Sequence, residues 1–155
     1  PQVVICEAAI GREPGFAQLQ EMQHIHTSFV QFGTQTEGRT NPVKTIDQLN
    51  DEFGTPDIIK IDVEGAELEA IKGARKTLSQ KELPIVMIEY IPHHAAQFGG
   101  YSLEDLLCFF PGDKFHSYRI LRSGRLTEAR SADSSPATND YLIVPVSRLS
   151  TVVHG

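Results

Sequence analysis

The chain has 155 residues, of which 40% are hydrophobic and 22% charged, and these values are ordinary for a single globular domain with a hydrophobic core. The formal net charge of −6, without any cluster of lysine and arginine, argues against nucleic-acid binding. No apolar run reaches the roughly 18 residues of a membrane span, which argues against a membrane protein. Cys6 and Cys108 lie far apart in apolar settings, so we predict two reduced, buried thiols and a cytoplasmic location.

The N-terminal segment is predicted to begin with a strand. The apolar run Val3–Cys6 has the composition of a buried strand, and the small residues that follow it would let a ligand approach the backbone. The chain begins at Pro1, without a methionine, and enters this strand at once. We therefore expect further residues upstream of Pro1.

The next segment gives weaker signals. Apolar and polar residues alternate around residues 25–29, which weakly indicates a strand. His24 and His26 would share one face of it, either as metal ligands or as two exposed histidines of a half-polar strand. Residues 33–42 are polar and contain glycine, so we predict a surface loop there.

The most informative segment reads IIKIDVEGAELEAIKGA, from Ile58 to Ala74. Its first four residues form a short β-branched run, which predicts a buried strand that ends on Asp62. From Glu64 onward the apolar residues recur at helical spacing, with acidic residues first and basic residues later, as the helix dipole favours. Ligands of open α/β sheets bind at the carboxyl ends of strands, where Asp62 and Glu64 would lie.

The remaining elements are predicted from capping boxes, apolar runs and chain breakers. They are a helix capped by Thr45 and Gln48 that ends near Gly54, a strand at Ile85–Ile88 that leads to Glu89, a helix capped by Ser102 and Asp105, a strand at Phe115–Leu121 with a turn at Gly124, a loop over residues 130–139 and a last strand at Tyr141–Val144. Strands that alternate with helices predict an α/β fold with a mostly parallel sheet, and two closing strands without an intervening helix predict an antiparallel pair.

Three segments carry a family resemblance: TIDQL (Thr45–Leu49), KIDVEGAELEAIKGA (Lys60–Ala74) and PIVMIEY (Pro84–Tyr90). The run DVEGAELE is the most specific part, and EAAIG (Glu7–Gly11) followed by Gly15 fits the same pattern. Together they closely resemble the FkbM family of S-adenosylmethionine-dependent methyltransferases, over residues 3–89. The resemblance implies a Rossmann-like sheet of order 3-2-1-4-5-7-6 and methyl transfer to a hydroxyl of a sugar or secondary metabolite.

The sequence departs from that family in its cofactor-binding half. Such methyltransferases carry a glycine-rich turn after the first strand and an acidic residue after the second, and this chain has neither in the expected place. It begins at what should be the third strand. Val3–Cys6 and Ile58–Ile61 would then lie three strand spacings apart, about 14 Å. We therefore expect the 155 residues alone to bind S-adenosylmethionine weakly or not at all.

The resemblance also implies roles for particular residues. Glu7, Ala8 and Ala9 would bind the cofactor, with the two alanines flanking its adenine. Asp62 would orient the acceptor hydroxyl or accept its proton, because methyl transfer requires alignment and a base. The other catalytic candidates at this edge are Glu64, Glu89 and His93.

Several alternatives stay open at this point. Glu64 is equally a first-turn acid of a helix, Glu89 could cap a neighbouring element, Glu67 and Glu69 are expected to be solvated, and His93-His94 to be loop residues. Asp62, Glu89 and a histidine could form an oxygen-rich metal site, although the chain shows no zinc-ligand spacing, and we predict no metal. A non-catalytic interaction module and a metal-dependent hydrolase remain alternatives to the methyltransferase, whose partner would be a small-molecule or glycan acceptor.

Overall fold

The computed structural model describes residues 3–21, 28–32, 40–129 and 139–153, and these form two β-sheets with short helices. His24, His26 and most of the two predicted loops lie outside the described residues. The strands are β1 (Ala9–Ile10), β2 (Gly15–Glu21), β3 (Ser28–Phe32), β4 (Thr40–Lys44), β5 (Ile58–Ile61), β6 (Ile85–Tyr90), β7 (Phe115–Ile120), β8 (Leu126–Glu128) and β9 (Asn139–Pro145). The helices are α1 (Ile46–Phe53), α2 (Glu67–Lys72), α3 (Pro92–Gln97), α4 (Leu103–Leu107) and α5 (Leu149–Val153), with 3₁₀ turns at Thr77–Ser79 and Val146–Arg148.

The larger sheet has the strand order β5-β6-β9-β7-β8. Its first four strands follow the 4-5-7-6 part of the order that the resemblance implies. The predicted antiparallel closing pair is confirmed, because β7 and β9 pair antiparallel. A mostly parallel sheet is not confirmed for the described residues, since β5–β6 is the one parallel pair of this sheet. The reason is that β9 returns between β6 and β7, and that Gly124 turns β7 into a hairpin with β8.

The smaller sheet has the order β1-β4-β2-β3, with β2 antiparallel to both β3 and β4. The predicted strand at Val3–Cys6 is wrong. These residues belong to no strand, their side chains are exposed, and the first strand is the short β1, which pairs parallel with β4. An apolar run needs a partner strand to become buried, and among the described residues none pairs with this one. Since residues 3–6 form no strand, they are also not a ladder partner of β5, which pairs with β6.

The prediction of two buried thiols is likewise wrong, because both cysteines are exposed. Cys6 is exposed because the apolar run around it lies outside the sheets. Cys108 ends α4, where its Sγ donates to the carbonyl oxygen of Asp105 at 3.0 Å.

Two helices, α1 and α4, begin at the positions that the capping residues in the sequence predicted. Both capping boxes are confirmed, at Thr45 with Gln48 and at Ser102 with Asp105. The central helix was placed too early, because α2 begins at Glu67 rather than Glu64. Among the described residues, no helix is long and apolar enough to span a membrane.

The smaller sheet and α1 meet the end of α2 through a close contact between glycine backbones. The amide of Gly11 donates to the carbonyl of Lys44 at 3.0 Å, and the amide of Asp47 donates to the carbonyl of Gly73 at 2.9 Å. A Cβ atom at Gly73 would lie 2.2 Å from the carbonyl oxygen of Gly11, so position 73 accepts only glycine without a backbone shift. The carboxylate of Asp47 also accepts the amides of Lys76 and Thr77 at 3.0 and 2.8 Å. The TIDQL and IKGA segments thus meet through the backbone.

Candidate active site

Two of the predicted site residues meet at the carboxyl end of the larger sheet. Ile61 of β5 and Ile88 of β6 are register partners in a parallel pair, so Asp62 and Glu89, one residue further along each strand, emerge side by side. Their carboxyl groups share a hydrogen bond. The sequence predicted that both residues lie at the carboxyl end of the sheet, and the strand pairing explains why these two carboxyl groups meet there.

The pKa values of the two carboxyl groups are shifted in opposite directions. The ammonium of Lys60 donates to Oδ2 of Asp62 at 2.6 Å and, together with a hydrogen bond from Glu89, lowers the pKa of Asp62. Burial raises the pKa of Glu89 to about 7, and the hydrogen bond to Asp62 and the negative charges of Asp62, Asp140 and Glu64 add to that rise. Below about pH 7 the pair therefore holds one proton, carried by Glu89 and shared with ionised Asp62, and above that pH both carboxyl groups are ionised.

Lys60 and Asp140 complete this electrostatic arrangement, and the sequence analysis singled out neither. Lys60 lies two residues before Asp62, a spacing that puts both side chains on one face of a strand, and this signal was readable. Asp140 is the cross-strand partner of Glu89 in the antiparallel pair of β6 and β9. Like charges that face each other across strands repel, and no local pattern reveals such a pairing before the strands are aligned.

The turn that follows Asp62 has two consecutive residues with positive φ, Glu64 at 53° and Gly65 at 105°. A Cβ atom at Gly65 would lie 2.7 Å from the carbonyl oxygen of His94 and 2.8 Å from the ring of Phe98. The glycine therefore lets α3 pack directly on the turn. Nδ1 of His94 lies 3.0 Å from Oε2 of Glu64. Glu64 is thus part of the turn at the sheet edge, and the alternative of a first-turn helix acid is wrong.

The two histidines after Ile91 have different surroundings. His93 is exposed, with its Nε2 3.4 Å from Nε2 of Gln97, whereas His94 is the histidine that meets Glu64. The prediction that both are loop residues is wrong, because Pro92 occupies the first position of α3, where its fixed φ suits a helix.

Glu67 and Glu69 differ in solvent exposure, and the sequence did not predict this difference. Glu69 is partly exposed and pairs with Lys72 at 2.8 Å. Glu67 was predicted to be solvated, and this is wrong: it is 3% exposed. Its Oε1 accepts the backbone amides of Val63 and Gly65 at 3.3 and 2.9 Å, and its Oε2 contacts the hydroxyl of Tyr101. The partner tyrosine lies 34 residues further along the chain, so no local pattern could reveal the burial.

The predicted cofactor residues lie on the smaller sheet. Glu7 is exposed, Ala8 and Ala9 are half-buried, and Ala9 pairs with Val43 of β4. Their role in cofactor binding stays a prediction. Within the described residues, no group of three or more His, Cys, Asp or Glu side chains is arranged to hold a metal ion.

Comparison with known proteins identifies the family. A family model described as a methyltransferase FkbM domain matches residues 8–120, nearly three quarters of the chain. The chain belongs to the FkbM methyltransferase family. The matched range includes Asp62, Glu64, Glu89 and His93, whereas Asp140 lies beyond it.

One solved structure is also similar to this FkbM-family chain. It is the crystal structure of the methyltransferase FkbM from Methylobacillus flagellatus KT, with 26% sequence identity and a TM-score of 0.39. The match covers 66% of this chain but only 23% of that one. A comparison with curated proteins gave no match.

Proposed function

We propose that this chain supplies the acceptor side of an S-adenosylmethionine-dependent O-methyltransferase, in which Asp62 and Glu89 form the general base. The observation that carries the proposal is the carboxyl pair itself. In a chain of the FkbM methyltransferase family, two carboxyl groups with pKa values displaced in opposite directions share a hydrogen bond at the carboxyl ends of parallel strands. Such displaced pKa values are typical of groups that transfer protons.

An acceptor hydroxyl must lose its proton as it attacks a methyl group, and a base is most effective when its pKa lies near the working pH. Glu89, with a pKa of about 7, meets this condition, whereas Asp62 alone would be a weak base because its pKa is lowered. Lys60 keeps Asp62 ionised and oriented through the 2.6 Å bond. Asp62 is exposed and can accept the acceptor's hydrogen bond, so the pair takes up the proton as a unit.

The charge at this edge fits a cationic methyl donor. Asp62, Glu64 and Asp140 lie close enough to raise the pKa of Glu89 by their charges, and these acidic groups create a negative potential that favours a cation. S-adenosylmethionine supplies, when bound, an electrophilic methyl group on a positively charged sulfur. We assign its adenosine to Ala8 and Ala9, which are small and half-buried, as the family resemblance implies.

The choice of an oxygen acceptor follows from the proton that the pair can accept. A neutral amine can attack first and lose its proton afterwards, but a hydroxyl gains most from a base in the transition state. Carboxylates are also suitable hydrogen-bond acceptors for the hydroxyl groups of a sugar or a small metabolite. A hydroxylated small molecule or glycan is therefore the acceptor class that we propose.

Binding of the donor tests the first part of this function. Isothermal titration calorimetry of the full-length protein, including the residues expected upstream of Pro1, with S-adenosylmethionine at neutral pH is expected to give a dissociation constant in the micromolar range, whereas residues 1–155 alone are expected to bind it weakly or not at all. Adenosine serves as the control for the nucleoside alone, and it is expected to bind more weakly because it lacks the cationic centre. No heat of binding with a folded protein would overturn the donor assignment.

A further inference from the structure

The turn that carries Asp62 and Glu64 is held from inside the protein by Glu67. This carboxyl group is 3% exposed, and burial of an ionisable group costs free energy unless hydrogen bonds compensate for it. Two of its bonds go to backbone amides of the turn itself, those of Val63 and Gly65. Glu67 therefore fixes the path of the chain directly after Asp62.

Tyr101 holds the same turn at the following peptide unit, through the carbonyl of Gly65. Its hydroxyl donates to the carbonyl oxygen of Gly65 at 2.9 Å and contacts Oε2 of Glu67. Burial, with the hydrogen bond to Glu67, raises the pKa of Tyr101, so the hydroxyl remains protonated at neutral pH. Glu67 and Tyr101 together thus bind both the amide and the carbonyl of Gly65.

The same tyrosine is also tied to the strand that carries Glu89. The hydroxyl of Tyr90 donates to the backbone carbonyl of Tyr101 at 3.2 Å, and the two rings lie 5.9 Å apart. Tyr90 is the residue directly after Glu89, at the end of β6. Tyr101 therefore links the turn after Asp62, which its hydroxyl contacts, to Tyr90 beside Glu89, which donates to its backbone carbonyl.

From this geometry we infer that Glu67 and Tyr101 are positioning residues that fix Asp62 relative to Glu89. A hydrogen bond between two carboxyl groups tolerates little displacement, because its oxygen atoms must approach within about 2.5–2.7 Å. The turn and β6 are otherwise joined near this edge by a short parallel ladder that stops at Ile61 and Ile88, and by α3, which packs on Gly65 and pairs His94 with Glu64. Beyond the ladder, the Glu67–Tyr101 contact fixes the position of Asp62 relative to Glu89. The expected effect on methyl transfer rests on the proposed function, whereas the expected effect on the position of Asp62 relative to Glu89 does not.

Carbon-13 NMR titration of the Glu89 carboxyl group in the intact protein tests the structural consequence without any substrate. In Tyr101→Phe the ring remains, but the turn loses its hydroxyl donor and Glu67 loses a partner. Asp62 then moves away from Glu89, and the pKa of Glu89 is expected to fall by about one unit. Tyr118→Phe, which removes a half-exposed hydroxyl from β7, is the matched control and is expected to leave the pKa unchanged. The charged groups around Glu89 are Asp62, Lys60, Asp140 and Glu64, and none of these variants alters them.

Variants at Glu67 separate geometry from charge. Glu67→Gln keeps the oxygen that accepts both amides and offers an amide donor to the tyrosine hydroxyl, so the pKa of Glu89 is expected to stay within about 0.3 units of the wild-type value. Glu67→Asp keeps the charge but shortens the side chain by one methylene, so it cannot reach both amides, and a fall of about half a unit is expected. If Tyr101→Phe does not fold, the Glu67→Asp and Glu67→Gln pair decides the question.

A merely structural role predicts a different result. In that case, Tyr101→Phe and Glu67→Asp would lower the melting temperature while Glu89 titrated as in the wild type, and the inference would be overturned. In the methyl-transfer assay, the inference predicts a kcat about 10-fold lower in Tyr101→Phe, with the KM for S-adenosylmethionine unchanged. If the protein transfers no methyl group, the proposed function fails, whereas the titration still decides the positioning role.

Discussion

Asp62→Ala is expected to lower the turnover of the proposed methyl transfer by the intact protein about 10²–10⁴-fold, the usual contribution of a general base. The substitution removes both the acceptor's hydrogen-bond partner and the carboxylate that shares a proton with Glu89. The fold should persist, because Asp62 is exposed and its carboxylate bonds to Lys60 and Glu89 rather than to the core.

Steady-state kinetics with circular dichroism measure both parts of this prediction. Asp113→Ala is the matched control, since Asp113 is an exposed aspartate just before β7, at the opposite edge of the sheet. Its turnover should stay within about twofold of the wild type, as is usual for a surface substitution. Wild-type turnover in Asp62→Ala would remove Asp62 from the mechanism.

The pH profile of kcat/KM is the second large expected effect. The base must be deprotonated to accept a proton, so the wild-type value should rise about tenfold per pH unit and level off above the Glu89 pKa of about 7. At pH 5 the enzyme should retain about a hundredth of its plateau value. In Glu89→Gln the remaining titrating group is Asp62, whose pKa is lowered, so the rise should move to the acid side and the plateau should fall.

A stability measurement controls this assignment without any acceptor. Burial and the facing carboxylates raise the pKa of Glu89 in the folded state from 4.5 to about 7. The resulting stability is fully present below pH 4.5 and is lost as the pH rises through about 7. The melting temperature of the wild type should therefore fall relative to that of Glu89→Gln over this interval. If the melting temperatures of the two proteins changed in parallel over this pH interval, Glu89 would titrate at an ordinary pKa and the assignment would be contradicted.

Local patterns predicted those parts of the fold that neighbouring residues determine. The capping boxes at Thr45 and Ser102, the strands around Ile58 and Ile85, and the meeting of Asp62 and Glu89 all follow from sequence spacing and from the geometry of parallel strands. The errors arose where distant contacts decide the outcome. The apolar run Val3–Cys6 has the composition of a strand, yet it is exposed because strand formation requires a partner.

The candidate site shows the same limit. The sequence carried no sign that Glu67 is buried, because its partner Tyr101 lies in the distant connection between α3 and α4. Asp140 joins Glu89 only through the register of β9, and His94 rather than His93 meets Glu64 because of the rotation of α3. Tertiary packing overrode composition at each of these positions.

Transfer of a labelled methyl group is the most direct measure of Asp62-dependent methylation of an oxygen atom. Wild type and Asp62→Ala are each incubated with S-adenosylmethionine carrying a ¹³C-methyl group and with the small-molecule extract of the source cells, and the products are observed by NMR. New methoxy signals are expected with the wild type and nearly none with Asp62→Ala. Label on nitrogen or carbon, equal labelling by both proteins, or no transfer by the folded wild type would contradict it.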